Sequence, residues 1–489
     1  MSVAPEGAST PITANAGRRA LQNTTLILLA RVVSRLIALV TVVIVSHALG
    51  DTQFGQMQTA VTYSTLASIV ADFGFATLYV REGARSPGSI SRLLSFAMSM
   101  RLFLSALSVP LLLAGLWFAG VQSLFLPSFA LIVVGGYLML LRSTLYALQR
   151  LNFEIIEIVP ETVLLLGLVL LGQRFHGDAG YFLWAYVISY FVALVYFGIV
   201  MLRTRMVRPG WNLDLAMVRP WLTVGVSLAI TYLLTTVYFK VDVPILQHFR
   251  SYAEVGWYTL AYKPFEALLF IPVTFRSVIF PVMSLYKRAA PERVLPTSER
   301  FFKALALIGW PITVGMFVLT PQFNDLLQLY PESEPALHIL AIGVFFAFVD
   351  NTFAATFNAV DRQKTFAYIA LSGLAINVVL NAFLIPLFGY LGASWSTVVT
   401  EMALVGIGWT VLRAQVGTLH VVRATWRIYP AGAVMGVFVW LVHPQGRWAL
   451  LLVTAAAAII YAMCVLVFRV LDRDERSAVR AMVRSRFST

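Results

Sequence analysis

The sequence predicts an all-α, polytopic membrane protein, and three observations carry that prediction. Of its 489 residues, 59% are hydrophobic and only 12% are charged. The mean hydropathy is +0.80. The apolar residues also gather in long runs separated by short polar turns. Soluble domains carry roughly 25% charged residues, so about half of the polar coat that a water-exposed surface needs is missing. This excludes a soluble enzyme, a disordered chain and a secreted disulfide scaffold. The single cysteine, Cys464, cannot close an internal disulfide and reads as packing within the apolar run 449–468.

A bilayer core about 30 Å thick takes about 20 apolar residues in helical form. By that measure the chain holds about fourteen transmembrane helices, near 21–48, 55–80, 93–119, 124–148, 154–173, 180–202, 220–248, 255–285, 301–320, 336–359, 365–388, 391–412, 427–443 and 448–470. Residues 1–20 are rich in Ser, Thr, Pro and Gly and include Arg18 and Arg19. They have no apolar core followed by a cleavage site, so they read as a cytoplasmic tail rather than a signal peptide.

The basic residues support this threading. Lys and Arg near span ends collect on the cytoplasmic side. Of the 36 basic residues, Arg174, Arg250 and Arg447 lie on one face and Arg31, Arg35, Arg101, Lys240, Lys263 and Arg276 inside spans; all others fall on the face of the N-terminal tail. A miscounted span would have scrambled that alternation, so both termini are expected in the cytoplasm. The net charge of +13 is therefore a topology signal and not a nucleic-acid footprint. The longest external loop, near 321–335, holds Asp325, Glu332 and Glu334 and is too short for a catalytic domain. That weighs against a membrane glycosyltransferase. No His/Cys/Asp/Glu cluster has metal-ligand spacing, no glycine loop cradles a nucleotide, and no cofactor or metal is expected.

An internal echo suggests the architecture. His47 and Gly55 are eight apart at the first external turn, as are His248 and Gly256 at the turn after span seven, an offset of 201 residues. Six spans separate the two turns, so the halves would be parallel repeats about an axis along the membrane normal. The expected organisation is a tail (1–20), a six-helix lobe (21–202), a basic linker (203–219), a second six-helix lobe (220–413), two C-terminal helices (414–470) and a basic tail (471–489). His47 and His248 read as interfacial residues rather than metal ligands.

An ionised side chain at the centre of a bilayer costs about 2.5–3.5 kcal/mol on insertion scales unless it meets water or a partner. Besides the six embedded bases, Asp72, Asp242, Glu266, Asp350 and Glu401 are intramembrane acids. Together they imply a polar interior cavity between the lobes. Arg31 and Arg35 share one face of the first span, where two like charges repel without an anion between them. Guanidinium grips phosphate in bidentate fashion, so the pair suits an anionic substrate group, unless Asp72 or another acid neutralises it. Lys240 and Asp242 point to different faces; Lys240 with Glu266, or Lys263 with Asp242, are the pairings that fit. Arg276, between Pro272 and Pro281, suits a cavity-lining bend. Asp72, Asp350 and Glu401 lack an evident local base and either carry a coupling ion or hold an arginine. Arg101 reads as snorkelling. Glu154, Glu157 and Glu161 recur on one face at the start of span five, where the helix dipole favours acids, and read as a solvated rim.

The ordered set of motifs resembles a known family. Leu49, Gly50, Phe54 and Gly55 lead to Asp72-Phe73-Gly74 and Arg81-Glu82. Lys240 and Asp242 then precede Glu254, Gly256, Tyr258 and Lys263, with Pro281 and Ser284 after them. Asn377 and Asn381 precede Pro386, Gly389, Gly392 and Glu401. Over about residues 20–415 this order resembles the polysaccharide transporter branch, similar to O-antigen flippases, of the multidrug/oligosaccharidyl-lipid/polysaccharide exporter superfamily. The resemblance implies two six-helix lobes that alternate between inward and outward openings. It also implies polyprenyl-pyrophosphate-linked oligosaccharides as substrates, flipped to the outer leaflet, with a proton, sodium ion or membrane potential as the drive. Arg31, Arg35, Lys263 and Arg276 are then the expected substrate contacts. Asp72, Asp350 and Glu401 are the expected coupling or gating acids, and Lys240, Asp242 and Glu266 the expected structural ion pairs. The alternatives are a peptidoglycan-precursor flippase, which uses the same chemistry, and a drug/cation antiporter, which would prefer an acid-lined cavity.

Overall fold

A computed structural model describes residues 11–150 and 152–471, with side chains from residue 30 onward. Helices follow one another throughout, and no strand occurs among the described residues. The chain divides into two compact units, Met1–Thr236 and Val237–Thr489.

The first unit begins with α1 (Pro11–Asp72), whose backbone breaks at Gly50 (φ 70°, ψ 170°). Its apolar part, Ala30–Asp72, is 43 residues long. At 1.5 Å per residue that is about 65 Å, twice a hydrocarbon core, so one straight crossing is impossible. No atom lies near a Cβ built at Gly50, so glycine is required there for its positive φ alone. A second break follows: Phe73 and Gly74 both take positive φ, and α2 (Phe75–Arg85) leaves in a new direction. The expected span 55–80 therefore ends near Asp72. Gly74 has a further reason to be glycine, because a Cβ there would lie 2.5 Å from Leu228 Cβ.

Helices α3 (Ile90–Phe118), α4 (Phe125–Ala147), α5 (Asn152–Arg174), α6 (Ala179–Arg203) and α7 (Leu215–Lys240) complete the unit. Asp178 caps α6 by accepting the Tyr181 amide at 2.8 Å. The core joins Leu78, Tyr79, Leu94, Phe96, Leu145 and Phe197. Trp221 of α7 enters it edge-on to Phe75 (5.5 Å) and Phe96 (5.0 Å). This packing explains why the division between units falls inside α7 and not in the stretch 203–219 that the sequence offered as a linker.

The second unit holds α8 (Asp242–Phe249), α9 (Tyr252–Leu268), α10 (Phe270–Ala289), α11 (Val294–Val318), α12 (Thr320–Leu327), α13 (Ser333–Ala359), α14 (Gln363–Phe388), α15 (Tyr390–Gln415), α16 (Val421–Thr425), α17 (Ile428–Val442) and α18 (Arg447–Val467). The most buried of these is α13, which runs through the centre of the unit with Phe348, Phe353 and Phe357 fully enclosed. Span eight is interrupted at Leu269, between α9 and α10. Pro272 supplies the reason: it lacks an N–H and its ring crowds the carbonyl four residues earlier. The expected loop 321–335 is helical at both ends, in α12 up to Leu327 and in α13 from Ser333. The last two apolar helices dock on α11, where Trp310 Nε1 donates to the Tyr429 carbonyl at 3.2 Å and the Tyr461 hydroxyl to the Leu307 carbonyl at 2.9 Å.

Among the described residues, twelve helices are long and apolar enough to cross a membrane, and Ile428–Val442 is a shorter apolar helix. Counting α1 as two passes at Gly50 and adding that short helix gives the fourteen segments expected from hydropathy. The fold is that of an all-α polytopic membrane protein.

Candidate functional site

In the first unit, five charged side chains and a tyrosine from three helices form a polar seam. Glu154, Glu157 and Glu161 follow the three- and four-residue spacing of one helix face on α5, and Arg142 and Tyr146 do the same on α4. Facing them is Arg31 of α1. Its Nη2 donates to Glu154 Oε1 at 2.9 Å and to the Tyr146 hydroxyl, and that hydroxyl donates to the same Oε1 at 3.0 Å. Glu154 is buried, whereas 33% of the Arg31 side chain is exposed. No bond engages Arg31 Nε or Nη1 among the described residues, so part of the guanidinium is available to a ligand. Arg35 lies one turn further along α1 and is exposed. Deeper in the seam, Arg142 Nη2 donates to both oxygens of Glu157, at 2.9 and 3.0 Å, and to Glu161. Ser34 and Thr162 share a 2.6 Å hydrogen bond between α1 and α5.

The three glutamates are thus partnered, not a solvated rim. Burying them without a counterion would be prohibitive, and Arg31 and Arg142 supply it. Arg142, counted from the sequence as a topology signal, and Tyr146, not considered there, are the site residues that sequence reasoning missed. Their spacing of four near the end of α4 was the available signal.

Asp72 sits apart from this seam, at the end of α1. Arg101 Nη1 donates to its Oδ1 at 2.5 Å, and the Gly74 amide to its Oδ2 at 3.2 Å. Arg101 is buried and lies flat over α4, where a Cβ at Gly136 would come within 2.1 Å of its Nη2. Arg101 therefore does not snorkel, and Asp72 has the local base that the sequence did not reveal. The pair pins the break at Phe73 and Gly74.

The second unit has its own set. Lys240, at the end of α7, and Lys263 of α9 both reach Glu266, at 3.4 and 3.2 Å. Lys263, expected at the substrate, is therefore held by an acid one turn away. The expected Lys240–Glu266 pairing is present. Asp242 departs from expectation: the buried carboxylate accepts from the Tyr258 hydroxyl and is not the ion-pair partner of Lys263. A phenol satisfies the acid at lower desolvation cost than a second buried charge. Glu401 accepts from the Tyr238 hydroxyl at 2.7 Å. Asp350 has Arg276 as its charged neighbour and Glu401 as a second acid nearby, and its Oδ1 is buried without a hydrogen bond. Arg276, on the proline-rich α10, is half-buried.

A family model described as polysaccharide biosynthesis protein matches residues 20–287, and a second, MatE, matches residues 227–383. The chain is 24% identical over 186 residues to the uncharacterized membrane protein MJ1068 of Methanocaldococcus jannaschii. That match spans 37% of this chain and 37% of the relative, well under two thirds of its length. Among solved structures, the fold is similar to lipid II flippase MurJ in an inward closed conformation (TM-score 0.73, 12% identity, 92% of this chain and 99% of that one). It is also similar to an inward-facing multidrug resistance MATE family transporter of the MOP superfamily (TM-score 0.63, 13% identity, 78% and 94%). At such low identity these likenesses show the fold.

Proposed function

The chain belongs to the polysaccharide biosynthesis protein family, and from that premise we propose that it is a flippase for polyprenyl-pyrophosphate-linked oligosaccharides. It moves them from the cytoplasmic to the outer leaflet of a bacterial-type inner membrane by alternating access, with both termini in the cytoplasm. A charged pyrophosphate and a hydrated glycan cannot cross hydrocarbon unaided, because both would lose their water without compensation.

The observation that carries the reading is Arg31: anchored through one nitrogen by buried Glu154 and Tyr146, yet a third exposed, with its other donors unengaged among the described residues. A guanidinium held in this way offers a pyrophosphate a preorganised fork. Arg35, on the same face, is the second contact. Within the second unit, Lys263 and Arg276 are further cationic contacts in this reading, Lys240 and Glu266 tie the end of α7 to α9, and Asp242 ties α8 to α9 through Tyr258. Asp350 and Glu401 are the candidates for the coupling ion, a proton or sodium, unless the membrane potential alone drives transport. Asp72, bonded to Arg101, takes a structural role.

Two other cargoes have specific support. The similarity to a lipid II flippase over 92% of the chain favours a peptidoglycan precursor, and the similarity to a multidrug resistance transporter favours a drug, such as an organic cation. One experiment separates them. The purified protein in liposomes, under an imposed proton, sodium or potential gradient, is given a labelled polyprenyl-pyrophosphate oligosaccharide, lipid II or an organic cation. Movement of the oligosaccharide in preference to the other two, lost in Arg31→Ala, is the expected result. Movement of lipid II or the cation without the oligosaccharide overturns the proposal.

A further inference from the structure

The motif Arg81-Glu82 has no part in the seam or in the proposed transport. It borders a cleft of about 290 Å³ in the first unit, lined by Leu78, Arg81, Ser86, Ser89, Trp221 and Val224. The cleft is two-sided in chemistry. Its floor is apolar: Leu78, Leu93 and the Trp221 ring are all buried. Its rim is polar, with the Ser86 and Ser89 hydroxyls beside Arg81.

Two groups of donors there lack acceptors. Trp221 is 6% exposed, and its indole N–H has no hydrogen-bond partner among the described residues. An indole N–H can only donate. Arg81 engages Glu82 through Nε at 3.0 Å, and its two Nη groups have no partner among the described residues. Glu82 does not reverse the sign of the rim, because Arg85 reaches the same Glu82 oxygen at 3.3 Å. Two guanidinium groups share one carboxylate, which leaves a positive charge at the edge of the cleft.

We propose that this cleft binds the headgroup of an anionic phospholipid drawn from the surrounding bilayer. Phosphate oxygens accept from the Arg81 Nη groups, from the Trp221 indole and from the Ser86 hydroxyl, the Ser89 hydroxyl being engaged by the Ser86 carbonyl at 2.9 Å. The acyl chains leave along α7, whose surface past Val224 stays apolar and exposed at Val226 and Ile230. A free phosphate would have no use for that floor, and a zwitterionic headgroup would bring an ammonium to a rim whose acid is already shared by two arginines. Basic pockets beside membrane helices recognise acidic lipids by this combination of charge and apolar contact.

The test uses the purified full-length protein, titrated separately with phosphatidylglycerol, phosphatidylcholine and soluble glycerol 3-phosphate, with bound molecules counted by intact-complex mass spectrometry. Phosphatidylglycerol is expected to bind in preference to the other two. Arg81→Gln and Trp221→Phe, each removing donors while keeping shape, are expected to weaken it roughly tenfold, the scale of one charge-assisted hydrogen bond. Equal binding of phosphatidylcholine, or of glycerol 3-phosphate, overturns the proposal, and so does undiminished phosphatidylglycerol binding in the variants. If Trp221→Phe lowers the melting temperature, Arg81→Gln alone decides the matter, since its side chain is exposed and its loss leaves the core intact.

Discussion

Arg31 and Glu154 stand 123 residues apart in the chain and form a 2.9 Å ion pair in which the acid is buried and the base is partly open. The asymmetry matters. A substrate phosphate can reach the open side of the guanidinium without breaking the pair, while the buried carboxylate depends on that guanidinium for its charge balance. Under the proposed function Arg31 has two duties, and its substitution should expose both.

Removing one partner of a fully buried pair costs about 3–5 kcal/mol. Partial exposure of Arg31 reduces this, so Arg31→Ala is expected to destabilise by about 1–2 kcal/mol. Adding Glu154→Gln removes the stranded charge and should recover most of that loss, visible as a regained melting temperature. Glycan export, read at the cell surface, should remain absent in the double variant. Restored export together with restored stability would show that Arg31 serves the fold and not the cargo.

The pairs show which parts of the protein could be read from its sequence. The spans were legible because hydrophobic length is a local property, and Gly50 was legible as a turn because it separates two apolar runs. That Glu154, Glu157 and Glu161 share a face was legible for the same reason. Their partners were not: nothing local connects α1 to α5, or Asp72 to Arg101 across 29 residues. The dipole of α5 gave a sufficient local explanation for the acids, and it concealed the tertiary one. The bonds of Tyr238 and Tyr258 to buried acids were not foreseen, because a tyrosine in an apolar run carries no charge to flag such a role.

The Asp72–Arg101 lock makes a steric prediction. Gly136 lets the guanidinium lie on the backbone of α4, and a Cβ there would come within 2.1 Å of Arg101 Nη2. Gly136→Ala should displace the arginine and leave Asp72 without its counterion. We expect a loss of about 2–3 kcal/mol, the range for breaking a buried polar pair, against a gain of under about 1 kcal/mol from the better helix propensity of alanine. Thermal melting of the purified protein checks this. A stability equal to or above wild type would mean that Arg101 moves aside at no cost.

In the second unit, Glu266 serves two lysines, and this sets an order of effects. Glu266→Gln strands both Lys240 and Lys263, whereas Lys240→Gln or Lys263→Gln leaves the acid still paired with the other base. The glutamate side chain is 38% exposed, so solvent screening holds its loss to about 1 kcal/mol, with each lysine variant smaller. Melting temperatures of the three variants should rank accordingly. A lysine variant that loses more than Glu266→Gln would place its ammonium in a contact other than this pair.

One exposed pair gives a pH dependence with a definite sign. Asp361, in the turn between α13 and α14, accepts from Lys287 Nζ, and that hydrogen bond and charge hold its pKa below the usual carboxylate value. A folded-state pKa lowered in this way contributes stability that is fully present above the unfolded value, near 4. The contribution disappears as the pH falls through the lowered value. Asp361 takes a left-handed conformation (φ 59°), which asparagine also tolerates, so Asp361→Asn removes the charge and leaves the turn in place. Wild type should melt slightly above the variant at neutral pH, and the gap should close as the pH drops below the carboxylate range. High salt at neutral pH should narrow the same gap, since an exposed pair is screened. A difference that persists in acid and in salt would belong to the turn geometry and not to the charge.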